Sequence, residues 1–486
     1  MNNTFDLVAA ARQEMIHEGF QPDFPPGTDA QVAALKSQPA PNAAQNVRDL
    51  RSLLWSSIDN DTSRDLDQIE VAERVAEGIR VLVGIADVDS DVPIGSPIDD
   101  HARSQTTTVY TGVKTFPMLP EALSTGLTSL NENADRLAIV VELLVGPDGC
   151  LNGSGIYRAL VRNRAQLAYN SVGAWLEGSG ASPPKVAASA DLQVQLKLQD
   201  EAAQALRAQR HRLGALNFDR VEAEPVVSNG HVQDLAVRQA NRATRLIEDF
   251  MIAANEVMAR TLLEKGVSSI RRIVKSPERW PRIVELAARY GEQLPGQPDA
   301  TALSAFLQKQ KTADPVHYAD LSLAVIKLMG PGEYVLSKPG DERQGHFALA
   351  VLDYTHSTAP NRRFADLVTQ RLIKSAFNSH KAPYSEDELA SIARNCTLKE
   401  DAARKVQRTM QKRIAAVAMH GRIGQTFDGV VTGNTPKGVF VRVLKPPVEG
   451  RLIRGEQGVD VGDQVRVTLV ATDPQQGFID FARANE

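Results

Sequence analysis

The stretch SIDNDTSRDLDQ, at residues 57–68, is the most informative in the chain. It places four carboxylates, Asp59, Asp61, Asp65 and Asp67, within nine positions. Carboxylates this close repel one another unless a cation lies among them, and their oxygens are ligands that Mg²⁺ and Mn²⁺ prefer. A solvent-exposed acidic loop would have the same composition. The stretch therefore indicates either a divalent-metal site or an exposed loop, and the sequence on both sides is needed to choose.

The composition of the whole chain restricts the class of protein. Its 486 residues suggest about three domains. The net charge is only −4, so a site for a polyanion would have to be a local patch or channel. The two cysteines, Cys150 and Cys396, fit a reducing compartment. The N-terminus does not resemble a signal peptide, and no apolar run approaches the ~20 residues of a membrane span. We expect a cytoplasmic protein that does not bind membranes.

The flanking sequence predicts a mixture of strands and helices. Residues 46–150 are strand-rich, with buried strands at 79–86 and 137–145. Residues 185–330 have mostly helical periodicity, clearest at 243–255, and a long basic helix is predicted near 398–420. Residues 1–45 become polar and proline-containing after a short helical pattern, so we predict a small arm or cap there.

Residues 424–486 have a different pattern from the rest of the chain. Short alternating strands are separated by glycine turns, which is typical of a small five-stranded barrel. Such barrels bind single-stranded nucleic acid by stacking bases on aromatic rings beside basic side chains. Phe427 and Phe440 are candidates for these rings, with Lys437 and Arg442 next to them. Either ring is explained almost as well as a core residue.

Three further segments, taken with the acidic stretch, resemble one family. They are GIADV at 84–88 with GSPID at 95–99, FPMLPEALS at 116–124, and HFALA at 346–350 with YTHSTAPNRRFADL at 354–367. In this order they resemble the RNB family, the exoribonucleases typified by ribonuclease II and ribonuclease R, from residue 46 to about 420. The barrel resembles the S1-type RNA-binding domain of these enzymes.

The resemblance implies an α+β protein with three parts. An N-terminal arm or cap would span 1–45, an RNB catalytic domain with a mixed sheet surrounded by helices would span 46–420, and an S1-type OB-fold barrel would span 424–486. The N-terminal cold-shock domains typical of the family cannot fit in 45 residues, so a short variant is expected.

The resemblance also implies an activity and the residues that carry it. It implies a processive, monomeric 3′→5′ exoribonuclease that hydrolyses single-stranded RNA to nucleoside 5′-monophosphates with Mg²⁺, or with Mn²⁺. Asp59, Asp65 and Asp67 fall on metal-site aspartates, with Gln68 at a fourth ligand position, and Asp67 and Asp65 are also expected to be catalytic. Arg362 falls on an arginine beside the scissile phosphate, where its charge would stabilise the phosphoryl oxygens. A surface ion pair is the alternative for Arg362.

Other positions match RNA contacts of the family. Tyr110 matches an aromatic near the 3′-terminal nucleotide, and Tyr169 matches one that stacks on a base; a core role is the alternative for each. Glu248 matches a carboxylate that hydrogen-bonds ribose hydroxyls, and a solvent-facing helix glutamate is its alternative. Arg363 and Gln407 complete the predicted RNA-binding set.

The chain departs from the family at several charged positions. Gln68 replaces an aspartate, Gln105 stands where arginine is usual, and Gln407 stands where a glutamate is usual. Glutamine can ligate through its carbonyl oxygen but brings no charge, and Asp61 or Glu70 could compensate. A second hypothesis is therefore a catalytically weakened RNA-binding protein with the same fold.

Overall fold

The computed structural model describes all residues except 1–4, 40, 42–45, 220–221, 229–230, 239, 316, 379–381, 437, 444 and 485–486. The helices are α1 Leu7–His17, α2 Thr28–Lys36, α3 Pro97–Gln105, α4 Tyr169–Leu176, α5 Pro184–Ala187, α6 Ala190–Arg212, α7 Arg242–Glu264, α8 Trp280–Arg289, α9 Ala300–Ala313, α10 Tyr318–Met329, α11 Phe364–Asn378 and α12 Glu386–His420. The strands are β1 Arg48–Asp49, β2 Trp55–Asp59, β3 Gln68–Val75, β4 Gly78–Ala86, β5 Val109–Tyr110, β6 Thr115–Phe116, β7 Asp135–Val145, β8 Leu151–Ala168, β9 Glu222–Ser228, β10 His231–Arg238, β11 Ser269–Ile273, β12 Glu333–Ser337, β13 Thr426–Thr435, β14 Gly438–Val443, β15 Val448–Arg454, β16 Gln464–Asp473 and β17 Phe478–Arg483.

A six-stranded mixed sheet forms the centre of the larger domain, in the order β1-β8-β2-β3-β4-β7. The long strand β8 pairs in parallel with β1 and β2 and antiparallel with β7, so the sheet curls back onto itself. The apolar runs predicted at 79–86 and 137–145 form β4 and β7, which are neighbours. Continuous apolar runs are expected here because helices such as α6 and α7 cover the sheet.

Trp55 fills the core of this sheet and is fully buried. Its indole N–H donates to the carbonyl of Leu50 at 2.8 Å. Gly84 leaves room for the ring, because a Cβ at position 84 would lie 3.4 Å from Trp55 and 3.1 Å from Ile69. The start of β2 is therefore fixed by close packing, and the residues that follow it are held in place.

Two predicted helices are present but longer than their patterns. The helix predicted at 243–255 is part of α7, which begins after Asn241, whose side chain accepts the N–H of Thr244. The basic helix predicted at 398–420 is the second half of α12. Ser385 and Glu388 form a capping box at its start, so an acidic first turn precedes the basic residues.

The region 185–330 is mostly helical, as predicted, but it also contains strands. β9 and β10 form an antiparallel hairpin, and β11 pairs with β12 from a distant part of the chain. The β11–β12 pairing is non-local, and a helical reading of the surrounding sequence gave no sign of it. Within the part of the chain that the structure describes, no helix has the length and apolar character needed to cross a bilayer.

The C-terminal region is the predicted five-stranded barrel. Its strands close in the order β13-β14-β15-β17-β16, around a core of alternating valines with Leu452, Leu469 and Phe481. Residues 5–38 contain two helices, α1 and α2, where the sequence predicted one short helical pattern and a polar segment. The α+β prediction, with a mixed-sheet domain and a C-terminal barrel, is confirmed.

Candidate active site

The acidic stretch connects two neighbouring strands of the central sheet. β2 ends at Asp59 and β3 begins at Gln68. Leu66, between them, is fully buried; its N–H donates to Ser129 Oγ at 3.0 Å and its carbonyl accepts the N–H of Leu130 at 2.9 Å. Residues 59–68, which we call the aspartate loop, are therefore built into the domain, although Asp61 is exposed.

Asp67 is the buried acid of the aspartate loop and contacts a distant segment. Its Oδ1 accepts the backbone N–H of Asn361 at 3.0 Å, and its Oδ2 lies 3.2 Å from Nε of Arg362, 295 positions along the chain. Burial raises the pKa of Asp67 to about 7, although the charge of Arg362 and the Asn361 hydrogen bond act to lower it. The fold thus places the predicted catalytic aspartate beside the predicted phosphate-binding arginine.

Asp59, Asp65 and Tyr110 lie around this pair. Asp59 accepts hydrogen bonds from the N–H of Asn60 at 2.7 Å and the hydroxyl of Ser63 at 2.9 Å. Burial raises the pKa of Asp59, and the charge of Asp65 acts in the same direction. Tyr110, at the end of β5, donates its hydroxyl to Asp65 Oδ2 at 3.1 Å. The structure therefore brings these three predicted site residues into one neighbourhood.

The carboxylates are not gathered into a closed cage. Among the described residues, one group of three His, Cys, Asp or Glu side chains has ligand atoms within 4.8 Å of one another, and it is Glu14, His17 and Glu18 near the end of α1. Asp59, Asp65 and Asp67 stand further apart than that. Mg²⁺ commonly takes one or two carboxylates and fills its remaining positions with water and phosphate oxygens. The donor set fits such a hydrated ion.

Gln68 and Glu70 do not compensate for the missing family carboxylate, because Gln68 is neutral and Glu70 is buried where its charged form is disfavoured. Gln68 is buried at the first position of β3. Glu70, two positions on, is fully buried, and neither of its carboxyl oxygens has a hydrogen-bond partner in the described structure. Burial raises the pKa of Glu70 well above its ordinary value, with Asp59 acting in the same direction. Burial therefore favours the protonated form of Glu70, and a protonated carboxyl group is a poor metal ligand.

Two predicted RNA contacts lie close to the aspartate loop. Asp59 is opposite Ala168 in the pairing of β2 with β8, so Tyr169 follows at the same end of the sheet. Arg363 is half-buried and makes two hydrogen bonds to Asp366, at 2.9 and 2.8 Å. Its guanidinium is thereby fixed, and its charge acts on that of Arg362.

Glu248 and Gln407 are placed differently. Glu248 is exposed on α7 and lies 3.3 Å from Arg207 of α6, an arrangement that matches the solvent-facing alternative. Gln407 is half-buried on α12, next to Val406, which packs in the same apolar cluster as Val109 of β5. Gln407 is thus on a helix that packs against the strand carrying Tyr110. The RNA-binding roles of both residues stay predictions.

The barrel aromatics also remain candidates. Phe427 is half-buried and packs edge-on against the core residue Phe481, with ring centres 6.4 Å apart, while Phe440 is half-buried on β14. Arg442 forms an ion pair with Asp320 of α10 at 2.9 Å, so it joins the barrel to the larger domain. Lys437 lies outside the described residues.

Sequence reasoning missed two residues of interest. Phe478 exposes 59% of its surface on β17 and is a more open stacking surface than either predicted ring. Its position in an alternating strand could have indicated this. Asn361 holds Asp67 through its backbone N–H, which any residue but proline could supply, so its residue type gave no signal.

Comparisons with known proteins identify the family of the two domains. Residues 47–379 match the RNB domain, and residues 425–484 match the RNase II-type exonuclease C-terminal S1 domain. Ribonuclease R 1 of Lactococcus lactis subsp. lactis is 30% identical over 492 residues, which cover 94% of this chain and 59% of the relative. The chain therefore corresponds to less than two thirds of that relative's length.

Solved structures share the fold at lower identity. RNase R of Mycoplasma genitalium in complex with ribose-methylated single-stranded RNA has a TM-score of 0.87 at 21% identity, covering 99% of this chain and 78% of that one. Yeast Ssd1, described as a pseudonuclease, has a TM-score of 0.72 at 17% identity, covering 95% and 57%. The match over most of the chain shows that this protein belongs to the RNB family and carries a C-terminal S1 domain of the RNase II type.

Proposed function

We propose that this protein is a metal-dependent exoribonuclease that degrades single-stranded RNA from the 3′ end and releases nucleoside 5′-monophosphates. The contact between Asp67 and Arg362 supports this proposal most strongly, because it joins a buried carboxylate to a cation suited to phosphate. Relatives that cover most of this chain are named ribonuclease R. One structure of the same fold contains single-stranded RNA.

The side chains match the requirements of phosphodiester hydrolysis. When bound, Mg²⁺ or Mn²⁺ supplies a water of lowered pKa and polarises the phosphoryl oxygens. Asp59, Asp65 and Asp67 would hold the ion, and Asp67 must give up its proton to do so. Arg362 uses Nε on Asp67, and the other N–H groups of its guanidinium make no hydrogen bond within the described residues, so they can donate to a phosphoryl oxygen.

Tyr110 suits the role of holding the last nucleotide. Its side chain is 42% exposed, while its hydroxyl is fixed by Asp65. Stacking of one base on an aromatic ring contributes about 1–3 kcal/mol and does not depend on the base, as a nonspecific exonuclease requires. A ring fixed at one end would place the scissile phosphate reproducibly beside Arg362.

An RNA-binding protein with weakened catalysis is the second candidate, and Gln68 favours it. A neutral side chain replaces a family carboxylate, and Glu70 is buried without a hydrogen-bond partner among the described residues. Yeast Ssd1 has this fold and is described as a pseudonuclease. A water molecule can replace one lost ligand of Mg²⁺, so we place activity first.

A labelled-RNA time course tests the proposal. Single-stranded RNA carrying a 3′ or a 5′ fluorophore is incubated with Mg²⁺, with Mn²⁺ or with chelator. We expect immediate release of a labelled mononucleotide from the 3′ label, progressive shortening of the 5′-labelled strand, and no reaction with chelator or with the Asp67→Asn variant. RNA binding without cleavage in either metal, followed by a large gain in Gln68→Asp, would establish the second candidate instead.

A further inference from the structure

We propose that Gln105 is a positioning residue for this reaction. Through Gln105, residues 5–38 of the N-terminal arm hold the segment that carries Tyr110 in place, and we call this contact the brace. Gln105 is the last residue of α3 and is 3% exposed. Its effect on RNA hydrolysis rests on the proposed function, whereas the brace itself is a property of the fold. The family resemblance assigns no such role, since arginine is usual at this position.

The N-terminal arm contacts α3 along the whole length of that helix. At the first turn, Gln31 Oε1 accepts a backbone N–H at 3.1 Å. At the middle, the rings of Phe24 and His101 are 4.4 Å apart. At the last residue, Gln105 Oε1 accepts the N–H of Gln21 at 3.0 Å. Both ends of α3 are therefore held by glutamine acceptors that pair with backbone N–H groups across the interface.

The arm is itself anchored to α12. Leu7, Ala11 and Met15 of α1 pack in one apolar cluster with Val406 and Met410 of α12. Two ion pairs reinforce this contact, Glu14 with Arg413 at 3.3 Å and Glu18 with Lys405 at 3.6 Å. The same cluster includes Val109 of β5. The arm is therefore fixed both to α3, which precedes β5 in the chain, and to α12, which packs against β5.

The chain runs from Gln105 directly into the candidate site. Thr106 has φ 60°, a left-handed conformation that a β-branched residue keeps only when its surroundings hold it. Its carbonyl accepts the N–H of Phe364 at 2.8 Å, and the N–H of Thr108 donates to the carbonyl of Arg362 at 2.9 Å. The strained turn at Thr106 follows Gln105, which contacts the arm. The same turn is hydrogen-bonded to residues 362–364, which include Arg362.

The chemistry of position 105 agrees with this role. The contact requires a side chain with an acceptor oxygen, because its partner is a backbone N–H; the Nε2 of Gln105 has no hydrogen-bond partner among the described residues. An arginine has five N–H donors and no acceptor, so it could not make this bond. Glutamine at position 105 can therefore accept the hydrogen bond from the arm, which arginine cannot. Its presence is explained without a loss of catalytic activity.

The test compares Gln105→Leu with the matched control Gln31→Leu, which removes the same kind of contact at the far end of α3. Single-turnover hydrolysis at saturating RNA and the RNA dissociation constant are measured for both. We expect Gln105→Leu to cleave about tenfold more slowly with unchanged affinity, since small misplacements of reacting groups cost rate. Gln31→Leu should change the rate less than about twofold. Equal rates for the two variants would overturn the proposal.

Hydrogen exchange tests the brace without relying on activity. In Gln105→Leu, the amides of Thr108 and Phe364 should exchange at least about fivefold faster, because their hydrogen bonds open more often. Gln31→Leu should leave them unchanged. Unchanged exchange in Gln105→Leu would refute the brace even if the enzyme is active. If the amides exchange faster in Gln105→Leu but the unmodified protein cleaves no RNA, the brace is retained and the proposed function is rejected.

Discussion

Replacement of Asp67 by asparagine should make the metal-free protein more stable above neutral pH while abolishing hydrolysis. Asp67 is 1% exposed, and burial raises its pKa from 3.8 to about 7. Between these values the folded protein keeps a proton that the unfolded chain has released. The free energy of unfolding of the wild type therefore decreases as the pH rises through this window. Asparagine keeps the shape and the Asn361 hydrogen bond without this pH dependence.

The magnitude follows from the shift in pKa. A shift of about 3 units at 1.36 kcal/mol per unit corresponds to about 4 kcal/mol above pH 7, of which about 2 kcal/mol develops between pH 5 and pH 7. The stability difference between Asp67→Asn and wild type should thus grow by about 3 kcal/mol between pH 5 and pH 8. Urea unfolding in chelator, followed by tryptophan fluorescence, measures this difference at each pH.

Two controls make the Asp67 experiment specific. Asp61→Asn changes an exposed carboxylate of the aspartate loop and controls for the loss of one negative charge there. Mg²⁺ should raise the stability of the wild type at pH 8, and should have little effect on Asp67→Asn, because the ion binds the folded, deprotonated site. If Asp67→Asn and wild type lose stability in parallel as the pH rises, burial does not control the ionisation of Asp67.

Three further changes test other parts of the structure. Tyr110→Phe removes the 3.1 Å hydrogen bond to Asp65 and keeps the ring, so single-turnover cleavage should slow by about 2- to 10-fold with little change in RNA affinity. Trp55→Ala should lower the unfolding free energy by about 3–5 kcal/mol in a denaturant titration, because the indole is fully buried against Gly84. Removal of residues 424–486 should weaken RNA binding and reduce its dependence on salt more than it slows cleavage of short oligomers, because we expect the barrel to add phosphate contacts rather than chemistry. Equal RNA affinity with and without the barrel, in a salt titration, would contradict an RNA-binding role for it.

Local patterns predicted those parts of the fold that depend on neighbouring residues. The apolar runs of β4 and β7 and the alternating strands of the barrel are readable because side-chain periodicity follows backbone geometry. The start of α12 was missed because its first turns are acidic and only the later turns carry the basic pattern. The pairing of β11 with β12 joins segments far apart in sequence, which periodicity cannot report.

The candidate site shows the same limit. Composition suggested a metal at the aspartate loop, but it could not exclude an exposed loop until Leu66 was seen to be buried. The approach of Arg362 to Asp67 is a tertiary contact, and it was expected only through family resemblance. The exposed position of Glu248 beside Arg207 depends on how α6 and α7 pack, which the sequence of either helix alone does not determine.

The three glutamines that replace family charges are not equivalent, and substitutions toward the family pattern should therefore act in opposite directions. Gln105 accepts a backbone hydrogen bond from the N-terminal arm, so Gln105→Arg should slow cleavage by removing the acceptor and burying an unpaired charge. Gln68 is in the aspartate loop, so Gln68→Asp should strengthen metal binding and raise the rate at low Mg²⁺. Gln407 is on α12, where the neighbouring Val406 packs in the same apolar cluster as Val109 of β5. Cleavage rates across a Mg²⁺ titration separate these effects, and acceleration by both Gln105→Arg and Gln68→Asp would show that all the lost charges weaken one catalytic centre.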